Sequence, residues 1–281
     1  MAGEVIAVGE DVKAWKAGDR VSSNFAPDHL SGVSSPTAIS DAPGGGSDGM
    51  LTQYRIFKEH VCPKIVAIPD HLSFEEASTL PCAAVTAYNA LMGPVPVKAG
   101  DTVLIQGTGG VSIFALQFAV ASEATVILTS SSDKKLEVGK KLGAKYTINY
   151  RTTPDWEKEV LKITNGLGVD YTIKMGGPGT FMQSIEATRY GGWIPMVGIL
   201  ALGSDPKNAS IIHMALMKEL TLRGLLAGPL DMFKNMLRLM TANPEVTRPV
   251  IDKVFAFEDS IKAFEYLESQ AHVGKVVIKI D

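Results

Sequence analysis

The chain has 281 residues, enough for about two domains at the usual 100–200 residues each. Hydrophobic residues make up 46% and charged residues 20%, close to the globular averages of roughly 45–50% and 25%, which argues against intrinsic disorder. Lys plus Arg number 27 against 30 Asp plus Glu, so the net charge is −3 and the basic excess that nucleic-acid binding uses is missing.

Cys62 and Cys82 are too few for a disulfide framework and lack the Cys-x-x-Cys spacing of structural zinc, which fits a reducing, cytoplasmic setting. The start of the chain has no basic leader and only a short apolar run, Val5 to Val8, so it does not read as a signal peptide. Thr102 to Ser122 carries no charge and is long enough to span a bilayer, but its Gln106, Gly107, Thr108, Gly109, Gly110, Ser112 and Gln117 suit a buried strand, turn and helix better. No membrane partner is expected.

In chain order, the first 70 residues predict short strands at Glu4–Val8, Arg20–Asn24, Leu51–Phe57 and Lys64–Ile68. Residues 24–47 are rich in Ser, Pro and Gly and read as a long loop. Ser73, three residues before Glu76, forms a capping-box pattern opening a helix toward Cys82. From residue 101 the pattern alternates. Strands are predicted at Val103–Gln106, Thr125–Thr129, Tyr146–Asn149, Tyr171–Ile173 and Trp193–Val197. Helices fall between them at Val111–Ala121, Lys134–Leu142, Asp155–Thr164 and Phe181–Arg189. This is the pattern of βαβ units around a doubly wound parallel sheet, an α/β fold. Leu220–Leu226 adds a further strand at the sheet edge. The tail predicts a helix over Asp231–Thr241, a strand at Val254–Ala256, a helix from Glu258 and a last strand at Val276–Ile280.

The strongest chemical signal is the apolar strand Val103-Leu104-Ile105-Gln106 running into Gly107-Thr108-Gly109-Gly110-Val111-Ser112 and then an apolar helix. Glycine lets the backbone turn sharply and approach a pyrophosphate, whose charge suits the free amides and positive dipole end of the helix. The third glycine of the G-x-G-x-x-G pattern is Ser112 here, still small enough for close helix–strand contact. A second strand ends about 20 residues later, where NAD enzymes place an acid against the ribose hydroxyls. This chain instead has Thr129-Ser130-Ser131-Ser132, then Asp133-Lys134-Lys135. Hydroxyls and ammonium groups suit a 2′-phosphate, favouring NADP(H). The alternative is that Ser132 only caps the next helix and the lysines are solvated.

These residues resemble the medium-chain dehydrogenase/reductase superfamily, in particular its zinc-independent quinone oxidoreductase-like branch and proteins labelled zinc-type alcohol dehydrogenases. The resemblance is distributed in order over the chain. It includes Ala2 to Gly9, Gly18-Asp19-Arg20-Val21, Ala77 to Cys82, Thr86-Ala87-Tyr88, Gln106 to Val111, Leu142-Gly143-Ala144, Ile148-Asn149-Tyr150 and Gly274 to Val277. It implies a GroES-like catalytic domain from residues 1–82 and 229–281, and a Rossmann cofactor domain at 83–228. By position, Gly107, Thr108, Gly109, Gly110 and Val111 would hold the pyrophosphate. Ser131, Ser132, Lys135 and Tyr150 would hold the 2′-phosphate end, with Thr86 near the nicotinamide. Gly176, Gly177, Gly198, Ile199, Leu225 and Leu226 would line the ribose and nicotinamide with backbone.

Relatives begin with roughly 60 more residues, which would carry the first catalytic-zinc cysteine, so the GroES-like domain is expected to be N-terminally short. No four-cysteine zinc loop lies between Asn24 and Ser47, and the five histidines lack ligand spacing, so no metal site is expected. Two further departures stand out: Lys174, where a neutral or acidic residue is expected, and Glu123 at a glycine-like turn position. The resemblance thus implies an NADP(H)-dependent oxidoreductase that moves a hydride to or from a small enone, quinone, aldehyde or alcohol, and a homodimer. The alternative is a member without redox turnover, acting as a binding or regulatory protein or as a non-redox isomerase or cyclase. No proton donor is identified. Asp28 and His29 qualify by chemistry alone, and a solvated loop pair is the expected state for both.

Overall fold

A computed structural model describes residues 1–40, 42–58, 65–198 and 208–280, with residues 39 and 208–210 described by backbone alone. The chain divides into two compact units, Met1–Thr86 with Ala227–Asp281, and Ala87–Leu226.

In the first unit β1 (Ala2–Glu4), β2 (Arg20–Ser23) and β3 (Ile65–Ala67) form an antiparallel sheet in that order. Strand β1 stops at Glu4, short of the expected Val8, and residues 51–57 form no strand. Leu51, Tyr54 and Ile56 are exposed, Tyr54 to 72% and Ile56 to 90%, while Phe57 is half-buried. Alternation assigns side chains to faces, but a strand also needs a neighbour for its amides. The expected loop contains a short helix, α1 (Pro36–Ser40), opened by the Ala38 amide donating to Ser35 Oγ at 3.1 Å.

The capping box forms as the spacing predicts. Ser73 Oγ accepts from the Glu76 amide and Glu76 Oε2 from the Ser73 amide at the start of α2 (Phe74–Ser78). The other Glu76 oxygen accepts from Arg248 Nε at 2.6 Å, joining this helix to the tail of the chain. A π turn over Leu80–Ala84 follows, at Pro81, which has no amide to continue the α ladder. The backbone then resumes as α3 (Val85–Leu91).

The second unit alternates β4 (Thr102–Gln106), α4 (Gly110–Ala121), β5 (Thr125–Ser130), α5 (Asp133–Lys141), β6 (Tyr146–Asn149), α6 (Trp156–Ile163), β7 (Val169–Ile173), α7 (Phe181–Ala187), β8 (Thr188–Met196), α8 (Asn208–Met217) and β9 (Thr221–Gly224). The six strands are parallel, in the order β6-β5-β4-β7-β8-β9. This is the Rossmann order, with the direction of winding reversing at β4. Helices cover both faces, as a parallel sheet requires. Leu104, Ile127 and Ile148 pack with Trp156 and Val160 of α6 on one face. On the other, α5 approaches so closely that a Cβ at Gly139 would meet Leu128. The uncharged Thr102–Ser122 stretch is therefore β4, the turn and α4. Among the described residues no helix is long and apolar enough to cross a membrane.

Two details differ from the expected pattern. Helix α7 ends at Ala187 and β8 starts at Thr188, whose hydroxyl lies 2.8 Å from that of Thr172 in β7. Helix α8 has no charged residue, so no polar face marked it in the sequence. The remaining elements, α9 (Leu230–Ala242), β10 (Ile251–Ala256), α10 (Ser260–Glu268) and β11 (Lys275–Lys279), return to the first unit, with β10 and β11 paired in parallel.

Glu123 sits in the tight turn from α4 to β5 with φ 60°, the left-handed region that disfavours a side chain. Glu123→Gly is expected to raise stability by about 0.5–1 kcal/mol, read as a higher denaturation midpoint. An unchanged or lower midpoint would show that the turn carries no strain.

Candidate cofactor site

Strand β4 ends at Gln106, and Gly107 turns the chain with φ 79°, a conformation that glycine adopts without cost. The Gly107 amide donates to Thr129 O at 2.8 Å, fixing the turn to the end of β5. Ser112 stands where the third glycine is usual and is 2% exposed. Its hydroxyl donates to Gln106 O at 2.8 Å, so this position ties helix to strand. Gly109 is the N-cap of α4 and has no side chain to cap the first-turn amides. A Cβ built on it meets nothing within 4 Å. Thr108 is buried, while Gly110 and Val111 are half-buried. First-turn amides that no side chain caps, with open space beside the N-cap glycine, fit a pyrophosphate.

The adenosine end follows from register. Thr129 and Ser130 close β5 beside Ile148 and Asn149 of β6. Ser132 is the N-cap residue of α5, yet its side chain makes no capping hydrogen bond. The hydroxyl is thus not consumed by the helix, unlike that of Ser73. Ser131 and Lys135 are half-buried, Lys135 in the first turn of α5, while the Tyr150 amide donates to Ser130 O at 3.0 Å with its ring 43% exposed. The nearby acid, Asp133, accepts from Asn149 Nδ2 at 2.8 Å.

Across β4, the ends of β7 and β8 come together through Val197 and Gly198, whose amides donate to Lys174 O. A Cβ on Gly198 would lie 2.1 Å from Met175 O, so this close approach requires glycine. Gly176 and Gly177 are half-buried in the loop after β7. Ile199 lies outside the described residues. Leu225 donates its amide to Met196 O at 3.4 Å, and Leu226 is 60% exposed. Thr86 belongs to the first unit, where its hydroxyl donates to Cys82 O at 2.6 Å.

Four side chains outside the expected site, those of Gln106, Lys174, Thr180 and Ser184, bind these segments together. Gln106 accepts from the Gly176 amide at 3.2 Å and donates to Ser184 Oγ at 2.8 Å. Lys174 Nζ donates to Gly176 O, Gly177 O and Thr180 Oγ1 at 2.6, 2.9 and 2.6 Å. Only Lys174 carried a sequence signal, as a residue out of pattern. The two candidates by chemistry fare differently from the expected solvated pair: Asp28 is exposed, but His29 is buried. Its Nε2–H donates to Gly32 O at 2.9 Å and its own carbonyl accepts from the Leu230 amide, so folding of the tail encloses it. Among the described residues no three His, Cys, Asp or Glu side chains converge as metal ligands would.

The alcohol dehydrogenase GroES-like domain matches residues 1–70, and the zinc-binding dehydrogenase family matches residues 110–242. A zinc-type alcohol dehydrogenase-like protein of Schizosaccharomyces pombe is 47% identical over all of this chain and 80% of its own length. The chain belongs to the medium-chain dehydrogenase/reductase superfamily. A protein described as an alcohol dehydrogenase of Sinorhizobium meliloti has a similar solved structure, with a TM-score of 0.89 and 36% identity over 99% of this chain and 80% of that one. A Pseudomonas syringae quinone oxidoreductase superposes with a TM-score of 0.77 and 25% identity, again over 99% and 80%. The protein is thus an alcohol dehydrogenase-like oxidoreductase of this superfamily, with a GroES-like unit and a Rossmann unit.

Since the Gly198 approach joins β7 to β8, Gly198→Ala is expected to destabilise the Rossmann unit by about 1–3 kcal/mol. The test is chemical denaturation followed by a signal from that unit, and an unshifted midpoint would contradict the contact.

Proposed function

We propose that the protein is an NADP(H)-dependent oxidoreductase that moves a hydride to or from a small enone, quinone, aldehyde or alcohol without catalytic zinc. The observation that carries the cofactor preference is the neutral, hydroxyl-rich end of β5, where Ser132 leaves its hydroxyl out of the helix cap and Lys135 stands one turn away. An acid at this end would repel a 2′-phosphate, whereas hydroxyls and an ammonium group accommodate it.

In this reading the nicotinamide ring, when bound, gives or takes the hydride. The chain's own residues bind and orient. The Gly107 turn with Thr108, Gly109, Gly110 and Val111 holds the pyrophosphate, and Ser131, Ser132, Lys135 and Tyr150 hold the 2′-phosphate end. The backbone of Gly176, Gly177, Gly198, Leu225 and Leu226 lines the ribose and nicotinamide. Polarisation of the substrate oxygen then falls to a hydroxyl, an amide or a bound water, and the protein contributes orientation and exclusion of bulk water.

Calorimetric titration with NADPH and NADH tests the preference. NADPH is expected to bind more tightly, and Lys135→Ala to weaken it about tenfold while changing NADH by less than about twofold. Equal affinities, or equal losses in the variant, would remove the NADP(H) assignment. NADPH binding without oxidation across a panel of enones, quinones and aldehydes would instead favour a member without redox turnover. Turnover is expected to survive exhaustive chelation, and a chelator-sensitive rate restored by zinc would overturn the zinc-free reaction.

A cytoplasmic homodimer completes the proposal. Strand β9 is one of the two edge strands of the Rossmann sheet, and an exposed strand edge favours pairing with a second copy. A sedimentation profile showing only monomer at micromolar concentration would count against it.

A further inference from the structure

Lys174 is 2% exposed at the carboxyl end of β7, a position where an ammonium group needs a reason to be. Its three donors find three acceptors: the carbonyls of Gly176 and Gly177 and the hydroxyl of Thr180, all within 2.9 Å. All three lie in the single loop between β7 and α7, and none carries a charge. The ring of Phe181 lies beneath the ammonium, 5.7 Å away. Burial lowers the Lys174 pKa from 10.5 to about 8, which leaves the group mainly protonated at neutral pH. An ammonium has three donors and no acceptor, so this geometry uses it completely, and no lone pair remains for nucleophilic or base chemistry.

The loop is also held from the other side. Gln106, the last residue of β4 before the glycine turn, accepts from the Gly176 amide and donates to Ser184 Oγ, which in turn donates to Thr180 O. Lys174's own backbone pairs with β8, accepting from the amides of Val197 and Gly198 and donating to Pro195 O. One residue therefore connects the sheet, through its main chain, to both carbonyls of the Gly176-Gly177 pair.

We infer that Lys174 is a positioning residue for the nicotinamide half of the cofactor: its ammonium clamps the Gly176–Thr180 loop in the conformation that receives the ribose and nicotinamide. The inference rests on the cofactor reading above and adds a division of labour to it. The adenosine half is gripped by β5 and α5, and the nicotinamide half by a loop whose shape is set by one buried cation. That cation lies behind the loop carbonyls and need not touch the ligand.

The test separates the two halves. Calorimetry on Lys174→Met uses NADPH and, as a probe of the adenosine half alone, 2′-phospho-AMP. NADPH affinity is expected to fall about tenfold or more, since charge-assisted hydrogen bonds are lost, while that of 2′-phospho-AMP stays within about twofold. In the protein without ligand, hydrogen exchange at the Gly176 and Thr180 amides is expected to accelerate, with β5 and α5 unchanged. Thr180→Val removes one acceptor at nearly constant volume. It provides the same comparison with a smaller loss if Lys174→Met does not fold. Equal weakening of both probes would reduce Lys174 to a general stabilising residue, and no weakening of either would remove its role; each result overturns the inference. Binding of neither probe by the unaltered protein would instead refute the cofactor site itself, and the exchange comparison would still report whether Lys174 holds the loop.

Discussion

The carboxyl end of β4 is the constraint on which the site depends. A central parallel strand is buried on both faces, so its last polar groups must be satisfied by neighbouring segments rather than by water. Gln106 meets this demand with its main chain and its side chain together: its carbonyl accepts from Ser112, and its amide group bridges the Gly176 loop and Ser184. The turn that follows is pinned in turn by the Gly107 amide on Thr129. The placement of the glycine turn and one anchor of the facing loop are therefore consequences of how one strand ends.

Charge at this edge is distributed economically. The end of β5 carries hydroxyls with a lysine one turn on, and its nearby acid, Asp133, is engaged by Asn149. The end of β7 carries a buried cation surrounded by neutral acceptors. An unpaired buried charge is costly in an apolar setting, and only complete hydrogen bonding makes it tolerable. A smaller neutral residue here would leave the carbonyls of Gly176 and Gly177 without these donors.

The other unit is assembled from both ends of the chain by a comparable device. Glu76 closes a capping box with one oxygen and holds Arg248 of the tail with the other. A local helix-start signal, readable over four residues, thus also becomes a long-range connection. His29 shows the same coupling: it lies in a segment that composition assigns to solvent, but its carbonyl receives the Leu230 amide, and the returning chain buries it.

What the sequence determined by itself is what short-range physics encodes. The βαβ rhythm, the glycine turn before α4, the capping box at Ser73 and the neutral end of β5 are all local patterns of periodicity, backbone freedom and charge. The tertiary structure decided the features that depend on partners distant in the chain. Residues 51–57 alternate like a strand but find no ladder, and α8 is a helix without a polar stripe to announce it. The Gln106 amide acquired its partners, Gly176 and Ser184, only when the ends of β4 and β7 were brought side by side, whereas the Lys174 ammonium finds its acceptors in its own loop and owes to the sheet its burial. Lys174 was legible as an anomaly, but its role was not, because the environment that makes a buried cation acceptable does not exist until the sheet has formed.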